Sequence, residues 1–254
     1  MILKGKKILV VGAAGLLGAS LVKELVLQGA NVVAADINIE RLQNCFKTYE
    51  LDSSIDSIEL KQLDLSDKHA VVSMFDSLDG IDGAVNCSYP RNKNYGKHFF
   101  DVNVSDFNEN IALNLGSAFL LMQQSAEYFK RNHAPFSLVN VSSVYGVVAP
   151  KFNIYNNTPM TMPVEYAAIK SALIHLSKYT VKYIADSRFR INLVSPGGLF
   201  DKQPSDFISA YKTETLGKGM LDAKDILGAI VFLLSPMAEY VNAQNIIVDD
   251  GFSL

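Results

Sequence analysis

Short β-branched runs alternate with longer amphipathic segments from one end of this chain to the other, and that alternation admits few folds. Lys7–Val11 has the apolar, β-branched character of a strand, Gly15–Gln28 the spacing of a helix, and Asn31–Ala35 returns to strand. The pattern continues through a helix near Ile39–Lys47, a strand at Ile58–Leu63, a helix at Lys68–Ser77 and a strand at Ile81–Cys87. A long helix near Asp106–Arg131 precedes a strand at Phe136–Val141, and a second long helix at Glu165–Ile184 precedes a strand at Arg190–Val194. The last pair is a helix at Asp222–Leu234 and a strand at Asn245–Val248. Strands joined through helices pair in parallel, because each helix carries the chain back to the edge where the previous strand began.

The expected fold class is therefore α/β, a doubly wound, Rossmann-type sheet of seven parallel strands with helices on both faces. In such a sheet ligands sit outside the carboxyl ends of the strands. No repeat, low-complexity tract or interdomain linker interrupts residues 1–254, and 254 residues at 49% hydrophobic composition can bury a sizeable core, so a single domain is expected. Two polar connections stand out for their length, Pro150–Pro163 and Phe200–Lys218, and long loops in a compact domain are often functional lids.

A net charge of −3 without any block of like charges leaves no footprint for nucleic acid or an anionic membrane, so the expected partner is a small molecule. Cys45 and Cys87 make neither a disulfide framework nor a cysteine metal site, which suits a reducing compartment. Lys4, Lys6 and Lys7 ahead of the apolar run Ile8–Val22 have the outline of a secretory leader, yet a strand, a turn and a helix account for the same run. Lys23 and Glu24 end it before the ~20 apolar residues that a membrane span needs. A soluble cytoplasmic protein without a bound metal is expected.

Gly12, Gly15 and Gly18 fall at the junction of the first strand and first helix, where missing β-carbons let the backbone turn tightly and approach a pyrophosphate. A plain strand-to-helix turn has the same composition. Asp36 strengthens the nucleotide reading: it closes the second strand 18 residues after Gly18, near where an acid meets the adenosine ribose hydroxyls. Leu17 belongs to the same turn, and Asp64, at the end of the third strand, would face the adenine or else cap a helix. A 2′-phosphate would be repelled by Asp36, with Arg41 as the one obvious basic partner nearby, so NAD is expected over NADP.

Tyr166-Ala167-Ala168-Ile169-Lys170 sets a phenol and an ammonium four residues apart, one above the other on a helix face. A free tyrosine titrates near 10, and a neighbouring ammonium favours its phenolate. Core packing is the alternative for such a pair taken alone. Around it stand Asn114 in the preceding long helix, Ser142-Ser143 after a buried strand, and Asn192-x-x-Ser195-Pro196-Gly197 after the sixth. With these in order, the chain resembles the short-chain dehydrogenase/reductase family from end to end.

The resemblance implies that Val11-Gly12-x-x-Gly15-x-x-Gly18 is the nucleotide loop, with Asn86-Cys87-Ser88-Tyr89 in place of the usual Asn-Asn-Ala-Gly. It implies a tetrad of Asn114, Ser143, Tyr166 and Lys170. Ser143 would hold the substrate oxygen, Tyr166 would pass the proton, Lys170 would bind the nicotinamide ribose and tune Tyr166, and Asn114 would hold a water in the proton relay. Asn86, Pro196 and Gly197 join the glycines, Leu17, Asp36, Asp64, Tyr166 and Lys170 as expected cofactor contacts. It also implies pairing of the long helices between subunits, giving a homodimer or homotetramer. Ile169, Leu173, Leu176, Val181 and Ile184 would extend beyond one narrow stripe and supply the second face to bury.

Three departures qualify the match. The glycine spacing is that of the family's extended branch, which includes sugar-nucleotide epimerases and dehydratases, although the length of the chain fits the compact dehydrogenases. Cys87-Ser88-Tyr89 replaces a familiar asparagine and glycine, and the 23-residue step from Ser143 to Tyr166 exceeds the family's usual spacing. The expected activity is NAD-dependent interconversion of a secondary alcohol and a ketone. An epimerase or dehydratase using NAD transiently, or a non-catalytic NAD sensor, are the alternatives. Lys151–Thr158, rich in amides and hydroxyls, and Phe200–Thr213 with Lys202, Lys212 and Lys218, suit a sugar or nucleotide-sugar ligand. Ser195-Pro196-Gly197-Gly198 and the closing Asp249-Asp250-Gly251-Phe252-Ser253-Leu254 resemble those of oxidoreductases of bacterial flagellin or surface-glycan modification.

Overall fold

The computed structural model describes residues 1–48 and 57–254. Seven strands form one parallel sheet: β1 (Lys7–Val11), β2 (Asn31–Asp36), β3 (Ile58–Gln62), β4 (Gly83–Asn86), β5 (Phe136–Val141), β6 (Phe189–Pro196) and β7 (Asn245–Val248), in the order β3-β2-β1-β4-β5-β6-β7. Val11 at the end of β1 pairs with Ala35 on one side and Asn86 on the other, so the winding reverses between β1 and β4 and opens a crevice there.

Alternate strand residues feed two cores. Ile8, Val10, Val32 and Ala34 pack under α1 (Leu16–Leu27), α2 (Ile39–Thr48) and α8 (Leu227–Leu234). Leu9, Val11, Val33 and Ala35 pack under α3 (Lys68–Ser77), α5 (Ser117–Asn132) and α6 (Val164–Ile184). Both faces are thus dry, which is why these strands read as continuous apolar runs. Among the described residues, no helix is long and apolar enough to cross a membrane.

Three expectations need refinement. The long helix expected near Asp106–Arg131 runs without interruption as α4 (Val104–Ile111), a π-turn over Ala112–Gly116, and α5; its apolar spacing carries no mark of the π-turn. Asp222–Leu234 begins with a 3-10 turn at Ala223–Ile226, closed by a capping box between Asp222 and Asp225, before α8. On α6, Ile169 and Leu173 are buried and Leu176, Val181 and Ile184 pack against the same core. The exposed large hydrophobic side chains of that helix are Tyr179 and Tyr183, stacked on each other.

The two long connections are more ordered than their polarity implies. Phe200–Lys218 contains α7 (Ser205–Thr213), and Pro150–Pro163 contains a 3-10 turn at Phe152–Tyr155. A third core holds them together. Tyr155 meets Phe207 at 5.1 Å between ring centroids, and Tyr211 stacks on Phe252 at 4.5 Å, with Ile154 and Tyr145 buried beside them. Glu214 ties the two segments at the surface, accepting from Asn153 at 2.9 Å and pairing with Lys151 at 3.1 Å. Asp250 accepts the N–H groups of Gly217 and Gly219, fastening the end of the second connection to the C-terminal tail.

Truncating Phe252, which is 0% exposed, should open a cavity between Tyr145 and Tyr211. Phe252→Ala is expected to lower stability in urea denaturation by about 3–5 kcal/mol. A loss under ~1 kcal/mol would show that the tail does not hold the third core together.

Candidate active site

A cavity of about 910 Å³ runs along the carboxyl ends of the strands, from Asp36 and Asp64 at one end to Tyr89, Tyr155 and Phe207 at the other. Its nucleotide end is shaped by backbone proximity. Gly12 has φ +77°, and a β-carbon there would lie 2.7 Å from the Ser88 nitrogen; one on Gly18 would lie 2.2 Å from the Gly12 oxygen. Helix α1 can therefore begin at Leu16 directly behind the turn, with Gly15 as its N-cap and no side chain covering its first N–H groups. Uncovered N–H groups at a helix start are the donors an anion needs, so this cradle fits the pyrophosphate of a dinucleotide.

Gly12, Gly15, Leu17, Asp36, Asp64, Pro196 and Gly197 all line the cavity. The Asp36 carboxylate accepts the Ala14 N–H at 3.0 Å and the Asn38 N–H at 3.2 Å, which fixes it across the mouth of the turn. Asp64 accepts both the N–H and the hydroxyl of Ser66, so it shapes a turn as well as facing the cavity. Arg41 stands on the same wall as Asp36. Two expected contacts sit behind the wall instead: Gly18 packs against Gly12, and Asn86 turns its amide oxygen to the N–H and hydroxyl of Ser88. Leu16, not singled out in the sequence, faces the cavity beside Leu17.

Ser143, Tyr166 and Lys170 line the wall beyond the cradle. Ser142, the residue before Ser143, donates its hydroxyl to the Lys170 carbonyl at 3.0 Å and is committed to anchoring α6. Ser143 caps a short turn, its hydroxyl accepting the Tyr145 N–H at 3.2 Å. Burial pushes the Tyr166 phenol up, and the nearby Ser143 hydroxyl pulls against it. Lys170 is not the group that opposes the rise. Its Nζ donates to the Val141 carbonyl at 2.9 Å and lies 5.6 Å from the Tyr166 ring. Desolvation brings Lys170 itself down to about 8, partly offset by the neighbouring Cys87. Asn114 stands outside the cavity wall, in the π-turn, with its amide donating to the Pro90 carbonyl at 3.4 Å.

The rest of the pocket differs from the sequence expectation. Of Lys151–Thr158 only Tyr155 reaches the cavity, and Met160, Thr161 and Met162 take the place expected for the amides. Asp201, Gln203, Phe207 and Tyr211 contribute from the second connection, whereas Lys202, Lys212 and Lys218 do not reach it; Lys218 is paired with Asp222 and Asp225. Tyr89 is the largest omission. Its ring stands edge-on to Tyr166 at 5.5 Å and 5.7 Å from Lys170 Nζ, an arrangement signalled only by the bulk of a tyrosine where the family has glycine.

A family model described as enoyl-(acyl carrier protein) reductase matches residues 12–253. The chain is 35% identical to post-translational flagellin modification protein A of Campylobacter coli, over 99% of this chain and 100% of that protein. It is 27% identical to 7alpha-hydroxysteroid dehydrogenase of Bacteroides fragilis, over 99% of this chain and 95% of that one. A short chain dehydrogenase from Leptospira borgpetersenii, solved with bound NAD+, superposes with a TM-score of 0.85 at 30% identity, covering 99% of this chain and 94% of that one. Matches that run from the glycine turn to the aromatic tail turn the resemblance into a statement of descent: the chain belongs to the short-chain dehydrogenase/reductase family.

Proposed function

We propose that this protein is an NAD-dependent oxidoreductase that interconverts a secondary alcohol and a ketone on a polar, sugar-like substrate. The observation that carries the reading is the placement of Ser143, Tyr166 and Lys170 on one wall of a cavity whose far end is the glycine cradle and Asp36. Ser143 holds the substrate oxygen, and Tyr166, on the same stretch of wall, gives or takes that oxygen's proton. Lys170 would hold the nicotinamide ribose, and Asn114, behind the wall with its amide on the Pro90 carbonyl, would seat a water in the relay that returns the proton to solvent. Bound NAD supplies the chemistry this chain lacks, taking up or returning hydride at the reacting carbon.

NAD is favoured over NADP because the buried Asp36 carboxylate, held by two backbone N–H groups, would face a 2′-phosphate. The Leptospira neighbour holds NAD+. A sugar-like substrate is supported by Ser143, Thr161, Asp201 and Gln203 on the pocket wall. The spacing Gly12-x-x-Gly15-x-x-Gly18 favours a second reading, an epimerase or dehydratase that recycles its cofactor; it would turn over substrate without net NADH absorbance. The tyrosine–lysine pair beside Ser143 argues against a purely sensory protein. The stacked, exposed Tyr179 and Tyr183 support assembly as a homodimer or homotetramer, and the free thiols of Cys45 and Cys87 support a cytoplasmic location.

Tyr166→Phe should retain NAD binding and lose at least ~10²-fold in turnover, since it removes only the proton-transferring hydroxyl; near-normal rates on the best substrate from an NADH-absorbance screen would overturn the assignment. In titrations of both cofactors NAD should bind more tightly, and Asp36→Ser should narrow the gap; tighter NADP binding to wild type would reverse the cofactor proposal.

Lys170 carries a stability signature too. Folding lowers it from 10.5 to about 8, so between these values the unfolded chain binds a proton that the folded protein has released, and stability rises with pH across that window. Measured against Lys170→Met in cofactor-free urea denaturation, wild type should gain on the order of 2 kcal/mol from pH 7 to 9.5. A pH-independent difference would show that the ammonium is not desolvated.

A further inference from the structure

Three cationic side chains line the cavity among the described residues: Arg41, Lys170 and Arg91. Arg41 stands with Asp36 at the nucleotide end, and Lys170 is committed to Val141 and the tyrosine pair. Arg91 belongs to the other end. Its guanidinium rests 5.2 Å from the centre of the Tyr89 ring, the same ring that stands against Tyr166 and Lys170. No carboxylate of the described residues forms an ion pair with it, although nearly every neighbouring polar group on this segment is committed.

The segment that presents Arg91 is built, not loose. On one side the Pro90 carbonyl accepts from Asn114 at 3.4 Å, and on the other the Asn92 N–H donates to Asn110 at 2.9 Å. Asn110 in turn reaches Glu165, the buried residue preceding Tyr166. Further along, Asn94 donates to Asp106 at 2.9 Å and Lys97 pairs with it at 3.2 Å, while Asn92 donates to Glu109 at 2.7 Å. Tyr89 itself is held by a hydrogen bond between its hydroxyl and that of Tyr95. The local acids Asp106 and Glu109 are thereby taken by asparagines and by Lys97, and Arg91 is left facing the cavity with an aromatic ring beneath it.

A guanidinium carries paired donors in a fixed plane that suits a carboxylate or a phosphate, and stacking on an aromatic ring holds that plane without consuming the outward donors. We propose that Arg91, seated on Tyr89, binds an anionic group of the substrate, a carboxylate or a phosphate, and so restricts the enzyme to hydroxylated substrates that carry such a charge a few carbons from the reacting centre. The proposal rests on the oxidoreductase reading for the position of that centre. It makes Arg91 a specificity residue and Tyr89 the spacer that sets the distance between charge and reacting oxygen.

The test is calorimetric titration of wild type, Arg91→Ala and Arg91→Lys, each saturated with NAD, with D-sorbitol, D-sorbitol 6-phosphate and D-gluconate. Wild type should bind at least one of the two anions at least ~10-fold more tightly than sorbitol, and which anion it prefers separates phosphate from carboxylate recognition. Arg91→Ala should lose that advantage, and Arg91→Lys should recover part of it, because a lysine restores charge without the paired donors. Arg91 is exposed, so the variants test recognition and not folding. Equal affinity for sorbitol and both anions, no binding of either anion by wild type, or an unchanged anion preference in Arg91→Ala would each overturn the proposal. Hydride transfer, followed separately by NADH absorbance, decides the oxidoreductase reading: a protein that oxidises sorbitol yet ignores the anions keeps the activity and loses the Arg91 assignment.

Discussion

The whole site hangs on one close approach of backbone to backbone. At Gly12 the turn after β1 runs against the chain leaving β4, with no room for a β-carbon beside Ser88, and Gly18 brings α1 against the same turn. That contact holds together the two strands between which the sheet reverses, and it decides what lies in front of them. Because β4 is pulled in tightly, the residues after it, from Cys87 to Arg91, run across the front of the cavity and become its wall. Cofactor cradle and substrate wall are therefore two sides of a single packing constraint.

Burial sets the electrostatics of that wall. Tyr166 and Lys170 are both pushed toward their neutral forms by desolvation, the phenol upward and the ammonium down to about 8. The ammonium's fixed polar partner is an uncharged backbone carbonyl, so an anionic ligand entering beside it would favour its charged form. The Ser143 hydroxyl is the neighbouring group that opposes the rise at the phenol.

How much of this was legible from residues alone follows from what kind of signal each feature leaves. The strands and most helices were, because two buried sheet faces write themselves as apolar runs; Lys68–Ser77, Phe136–Val141 and Asn245–Val248 have the bounds expected of them. Ser143, Tyr166 and Lys170 were legible through residue type at helical spacing and through family resemblance. The third core was not. Tyr155, Phe207, Tyr211 and Phe252 lie in polar surroundings with no period, and their burial comes from contacts between distant segments. For the same reason loop polarity misdirected the substrate reading toward the amides of Asn153–Asn157, while Tyr89, on a short stretch without regular structure, stood out only as a departure from the family pattern and Arg91 not at all. The direction of Asn86 and Asn114, each turned to a neighbouring loop, is likewise a matter of side-chain geometry that composition cannot carry.

The π-turn over Ala112–Gly116 has a consequence of its own. An α-helix advances ~100° per residue, so a single extra residue in one turn rotates everything beyond it by roughly that angle relative to everything before. Ahead of the turn, Asp106 and Asn110 point at the segment that carries Tyr89 and Arg91; past it, Leu121 and Met122 point into the core beneath the sheet. A regular helix would have to surrender one of these alignments. The inserted residue works as a phase shifter, letting one continuous rod be read in two registers, with its polar half facing the pocket wall and its apolar half facing the sheet.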